Sequence, residues 1–130
     1  MNQLPFDPAE ERYVSLATFR RSGMEVRTPV WIAKAEDCYY VFSEGKAGKV
    51  KRIRANGKAR LAACTSRGDI RSDWLESQAR IVAEAEIIER AYVALREKYG
   101  WQMKVGDVFS KLIGHYGKRA IIELRIAQAG

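Results

Sequence analysis

Three β-forming runs crowd the stretch 13–43, and the connections between them are only four and two residues long. The runs are 13–19 (YVSLATF), 24–35 (MEVRTPVWIAKA) and 38–43 (CYYVFS), separated by Arg20-Arg21-Ser22-Gly23 and by Glu36-Asp37. Links this short join neighbouring antiparallel strands, so the spacing predicts a meander. Pro29 falls inside the second run. It has no N–H to give a ladder, which places it at a sheet edge, at a bulge, or where that group would face away from its neighbour.

Directly after the third run comes 45–60 (GKAGKVKRIRANGKAR), with seven lysines and arginines and no acid. The chain has 23 basic and 16 acidic residues, so this window equals the whole excess of +7 and the remaining residues are neutral as a group. Ala47, Val50 and Ile53 recur at helical spacing and predict a short helix. Asn56-Gly57 is its expected stop, since glycine takes the left-handed conformation without steric cost. Lys46, Lys49 and Lys51 then lie at or just before the helix N-terminus, which the helix dipole already makes positive. Free N–H groups, dipole and lysines together suit an anion such as a phosphate. The competing reading is a solvated basic face.

Further along, 58–65 (KARLAACT) reads as a fourth strand and 66–70 as a turn. Its Arg67-Gly68-Asp69 matches an integrin-recognition tripeptide and is set aside as chance in a chain with no secretion signal. Stretch 72–86 is ambiguous. Alternation puts Leu75, Ser77, Ala79, Ile81 and Ala83 on one face and Trp74, Glu76, Gln78, Arg80 and Val82 on the other, whereas propensity favours helix beyond Ile81. A strand to about residue 84 is expected. Helices follow at 87–99, with Ile88, Ala91, Tyr92 and Leu95 inward, and at 107–116, with Val108, Phe109, Leu112 and Ile113 inward. A last strand covers 118–126. The order predicts a mainly β protein with helices (α+β): a six-stranded antiparallel barrel closing its own edges, with helices packed outside.

At 130 residues the chain is expected to form a single domain, 1–130, with 1–12 as a lead-in in which Asp7 caps a turn through Pro8-Ala9-Glu10-Glu11. No apolar run approaches the ~20 residues of a membrane span, and no signal peptide is visible at the N-terminus. Cys38 and Cys64 lie in apolar runs without metal-ligand spacing. They are expected to be buried and reduced, in a cytoplasmic protein, and no metal site is expected.

These residues, in this order, resemble the split β-barrel flavoproteins related to pyridoxamine 5'-phosphate oxidase, above all the small flavin- or deazaflavin-dependent oxidoreductases. The resemblance rests on Arg27-Thr28-Pro29-Val30-Trp31 and Tyr40-Val41-Phe42-Ser43 in the second and third strands. It continues through Gly48-Lys49-Val50-Lys51-Arg52-Ile53-Arg54, Ala59-Arg60-Leu61-Ala62-Ala63-Cys64, and Trp74 with Ala79-Arg80-Ile81. It covers roughly 10–126. It implies a homodimer with FMN or a deazaflavin coenzyme in a groove between subunits, and some split barrels hold haem instead. It implies that Lys49, with Lys51 and Arg52, holds the cofactor phosphate, with the Ser43 hydroxyl nearby. The backbone of Arg27, Thr28, Pro29, Val30 and Trp31 would then pass along the cofactor ring.

With a flavin the hydride chemistry belongs to the cofactor, so no catalytic side chain is assigned. His115, the only histidine, reads as a surface or helix-end residue. Trp74 and Trp101 read as core or interface residues before pocket residues. The reading is an oxidoreductase passing hydride between the cofactor and a small organic substrate. The alternatives are a non-catalytic flavin or haem carrier or sensor, and a nucleic-acid-binding module. The last needs a broad basic face with aromatic or amide groups among the charges. The window 45–60 offers no aromatic and one amide, Asn56, so no specific nucleic-acid partner is expected.

Overall fold

The computed structural model describes residues 4–100 and 119–126. Asp7 does cap the lead-in: its carboxylate accepts the Ala9 N–H at 2.9 Å, opening a single 3-10 turn at Pro8–Glu10. The chain then runs through β1 (Val14–Phe19), β2 (Glu25–Val30), β3 (Ala33–Ala35), β4 (Cys38–Glu44), α1 (Gly48–Asn56), β5 (Lys58–Ala63), β6 (Leu75–Ile81), α2 (Ala85–Tyr99) and β7 (Arg119–Ile126). The expected helix at 107–116, with Trp101 and His115, lies outside the described residues.

All seven strands join one antiparallel sheet in the order β2-β1-β5-β6-β7-β4-β3. The two strands at the ends of that order, β2 and β3, are separated in the chain by Trp31 and Ile32 alone. A sheet whose two edges are tied together across two residues must curl, which gives the split barrel. Among the described residues the barrel has seven strands and not six, because the expected second strand, 24–35, breaks at Trp31-Ile32. Pro29 is accommodated because β2 is an edge strand, pairing through Ser15 on one side. The break itself comes after Val30, where the Ile32 N–H leaves the ladder and bonds the Tyr99 hydroxyl at 2.9 Å.

Alternate residues of the strands point inward: Val14 and Leu16, Tyr39 and Val41, Ala59 and Leu61, Leu75 and Ala79, Ile122 and Leu124 share one buried cluster. Each large aliphatic side chain removed from water in this way contributes about 1.5–3 kcal/mol. The two described helices divide, where all three were expected to pack outside. Val50 and Ile53 of α1 belong to the inner cluster, whereas α2 lies outside, over Cys38, Tyr40, Val82 and Ile121. β6 ends at Ile81, short of the expected residue 84, and Val82 turns under α2 with its N–H on the Ile121 carbonyl at 2.9 Å. Both cysteines are free and buried. No helix among the described residues is long and apolar enough to cross a membrane.

Candidate functional site

The site is built where β4 gives way to α1. The turn after Glu44 is closed by the Ala47 N–H on the Glu44 carbonyl at 3.0 Å. Ala47 is the N-cap residue, extended and without a side-chain cap. The first N–H groups of a helix have no partner within it, and alanine supplies none from its side chain. Arg52, one turn further on, folds back over this start. Its Nε donates to Thr18 Oγ1 at 2.7 Å, and a Cβ added to Gly48 would lie 2.7 Å from its guanidinium. The lack of a side chain at Gly48 is therefore what lets Arg52 lie there.

The local charge is one-sided. Burial lowers the Lys49 ammonium below its ordinary value, and Arg52 pushes it the same way against the opposing pull of Glu44. Arg52 is itself lowered, first by burial and then by Arg20 in the turn after β1. Each cation is thus disfavoured by desolvation and by a like neighbour, and a bound anion would relieve both. Arg20 also borders a cavity of about 800 Å³ at the other end of α1, lined by Phe19, Arg21, Ala55, Asn56 and Lys58. A second cavity, of about 680 Å³, lies elsewhere, over Tyr40, Arg80 and Glu123. There the carboxylate of Glu123, 3% exposed, accepts from Arg80 Nε at 2.9 Å and from the Tyr40 hydroxyl at 3.1 Å. Arg80 first, and then Tyr40, hold Glu123 below the usual carboxylate range against burial. That carboxylate is fully engaged and reads as a structural pin.

Of the residues singled out from the sequence, Lys49 and Arg52 are brought together, both half-buried, and Lys51 is exposed on the same helix. Ser43 is buried at the end of β4, its hydroxyl donating to the Glu44 carbonyl at 3.2 Å. In β2, Val30 joins the inner cluster, Thr28 is half-buried, and Pro29 is exposed. Arg27 is engaged apart from the cationic group: it pairs with Glu25 at 2.9 Å, and its guanidinium lies 4.7 Å over the ring of Trp74. Arg60 lies over the same ring at 4.6 Å, so Trp74 carries an arginine contact from each of two strands. Trp31 stacks on Tyr99 with centroids 4.5 Å apart and planes 9° from parallel, and meets Phe42 edge-on at 6.3 Å.

Two members of the group were not singled out from the sequence: Thr18 and Arg20. Thr18 is fully buried and continues the alternation that sends Val14 and Leu16 inward, so an inward hydroxyl among apolar positions was the available signal. Arg20 reads only as a turn residue until the fold brings it to α1. Among the described residues, no three His, Cys, Asp or Glu side chains are gathered as a metal site would need.

The described residues thus form a curled antiparallel sheet with the basic helix α1 packed on its inner cluster. Residues 6–130 match the family model described as pyridoxamine 5'-phosphate oxidase, and the chain belongs to that family. Its fold is similar to the haem storage protein HutZ from Vibrio cholerae, at 15% identity and TM-score 0.70, covering 94% of this chain and 86% of that one. It is also similar to the conserved hypothetical protein Rv2991 from Mycobacterium tuberculosis, at 19% identity and TM-score 0.65, covering 92% and 79%. A third similar structure is an F420 reductase, at 19% identity and TM-score 0.56, covering 92% and 90%. No curated protein matches the sequence.

Proposed function

We propose that this chain is an oxidoreductase that binds a phosphorylated flavin or deazaflavin cofactor, with the phosphate at the start of α1 and a homodimer as the working form. One observation carries the reading: two half-buried cations, Lys49 and Arg52, lie together at a helix start that no side chain caps, with Arg20 adding like charge beside Arg52. Lys49 and Arg52 would bind the phosphate directly, with Thr18 holding the Arg52 guanidinium in place through its 2.7 Å contact. Lys51, exposed, would add to the attraction from outside, and Ser43 would close the near wall. The cofactor, when bound, supplies the hydride chemistry. The strand Arg27–Trp31 would lie along its ring, with the outward backbone groups of Arg27 and the Pro29 carbonyl offered to the ring edge, since Thr28 and Val30 pair with Leu16 and Val14 of β1. The substrate would be a small organic molecule admitted beside that ring. Membership of the pyridoxamine 5'-phosphate oxidase family supports the cofactor class, and the fold shared with an F420 reductase is consistent with it.

The test is the absorption spectrum of the purified protein titrated with FMN, with the deazaflavin coenzyme and with haemin. Saturable binding of FMN or the deazaflavin, displaced competitively by high inorganic phosphate, is expected. Tight haemin binding with neither of the others would replace this reading by that of a haem carrier.

A further inference from the structure

We infer that Lys98 and Tyr99, the last two residues of α2, are positioning residues that hold the Trp31-Ile32 corner and so set the orientation of the strand Arg27–Trp31. The consequence for ligand binding rests on the function proposed above. The hold on the corner does not.

The corner has an unusual burden. It joins the two edges of the sheet across two residues, and Ile32 within it is completely buried. A buried N–H or C=O without a partner costs about 1–3 kcal/mol, and Ile32 has left the ladder that would have satisfied both. The end of α2 supplies the replacements. The Ile32 N–H donates to the Tyr99 hydroxyl at 2.9 Å. The Ile32 carbonyl accepts from Lys98 Nζ at 2.6 Å and faces the Tyr99 hydroxyl at 3.2 Å. The same two side chains reach the lead-in, with the Tyr99 hydroxyl on the Arg12 carbonyl at 2.9 Å and Lys98 Nζ on the Pro8 carbonyl at 3.3 Å. Three segments distant in sequence therefore meet on one phenol and one ammonium.

Packing alone would ask only for the rings. Tyr99 lies nearly parallel to Trp31 at 4.5 Å, and a phenylalanine would do the same. A stack of two flat rings leaves sliding and rotation free. The hydroxyl removes that freedom, because it is bonded to the backbone of the residue next to the indole it stacks upon. Trp31 is the end of the proposed ring-side strand, so its orientation follows from the Tyr99 hydroxyl and the Lys98 ammonium.

Tyr99→Phe keeps the stack and removes the hydroxyl, and Lys98→Met keeps most of the side-chain volume and removes the ammonium. The direct reading is the near-ultraviolet circular dichroism band of Trp31, defined as the difference between the wild type and Trp31→Phe. Each variant should lose at least half of that band while its far-ultraviolet spectrum is kept. FMN binding, followed by flavin fluorescence, should weaken about 3- to 10-fold in Tyr99→Phe, as expected for loss of one hydrogen bond. Should Tyr99→Phe fail to fold, Lys98→Met decides by the same band. An unchanged Trp31 band in a folded variant would overturn the inference. A lost band with unchanged FMN affinity would overturn the link to the ligand. A wild type that binds neither FMN nor the deazaflavin coenzyme would count against the cofactor reading, and the band alone would then decide the corner.

Discussion

Lys98 shows how much one buried charge can say about a fold. Burial drives its ammonium down to about 8, with Asp7 and Glu11 pulling it back up and Arg12 adding to the depression. Tyr99, the titratable group beside it, is pushed up to about 12, chiefly by burial. The unfolded chain keeps the lysine proton to about pH 10.4. Between about 8 and 10 the unfolded state therefore binds more protons than the folded one, and stability rises with pH. Below about 8 the full penalty of the buried cation is present. Above about 10 the buried tyrosines reverse the trend, since Tyr39, Tyr40 and Tyr99 all stay protonated to about 12 in the fold. Urea unfolding between pH 7.5 and 9.5 should show stability climbing in the wild type and climbing less in Lys98→Met. Equal slopes would mean that Lys98 is not a buried ammonium.

At the level of elements, α1 is the part the sequence described best. Its stop at Asn56-Gly57 is observed, with Gly57 in the left-handed region at φ 70° and its N–H on the Ile53 carbonyl at 2.8 Å. Gly57 also hands its carbonyl to the Ala79 N–H at 2.9 Å, so the helix end is sewn to β6. Gly57→Ala should cost about 1–2 kcal/mol, and a Cβ there would come within 3.3 Å of the Ala79 carbonyl. Urea unfolding measures it; no loss would mean the turn relaxes freely. The pattern of strands was legible for the same reason, since alternation and turn chemistry are local. What was not legible was contact at a distance. The break at Trp31-Ile32 depends on a hydroxyl 67 residues away. The place of α1 at the barrel end depends on where Val50 and Ile53 find a core, and their helical spacing says only that they share a face. The candidate site divides along that line: Lys49 follows from its place in the first turn of a helix and Arg52 from the family resemblance, whereas Thr18 and Arg20 join them only through the fold.

For the whole molecule, the proposed site makes two demands on behaviour in solution. Sedimentation at micromolar concentration should give a homodimer, because the family resemblance places the cofactor between subunits; a monomer that still holds cofactor tightly would contradict this. With a net charge of +7, the protein should attract nucleic acid at low salt and lose nearly all of that binding near physiological ionic strength, where each counterion released into the more concentrated salt gains less free energy. Sequence-selective binding that persists there, read by fluorescence anisotropy, would argue for a nucleic-acid partner. Phosphate binding at α1 should depend on the position of a cation and not on total charge, which a comparison of two cations of α1 tests. Lys49 is half-buried in the first turn beside Arg52, and Arg54 is exposed in the last. Each substitution by alanine removes one positive charge. A charge-assisted hydrogen bond is worth about 1.5–3 kcal/mol, whereas an exposed charge beyond a Debye length of roughly 8 Å is largely screened. Fluorescence titration with FMN and with the deazaflavin coenzyme should show Lys49→Ala weaker by about 10- to 100-fold at both low and physiological salt. Arg54→Ala should differ little from the wild type once salt is added. Equal losses in the two variants would mean that α1 acts as a diffuse positive field and holds no phosphate.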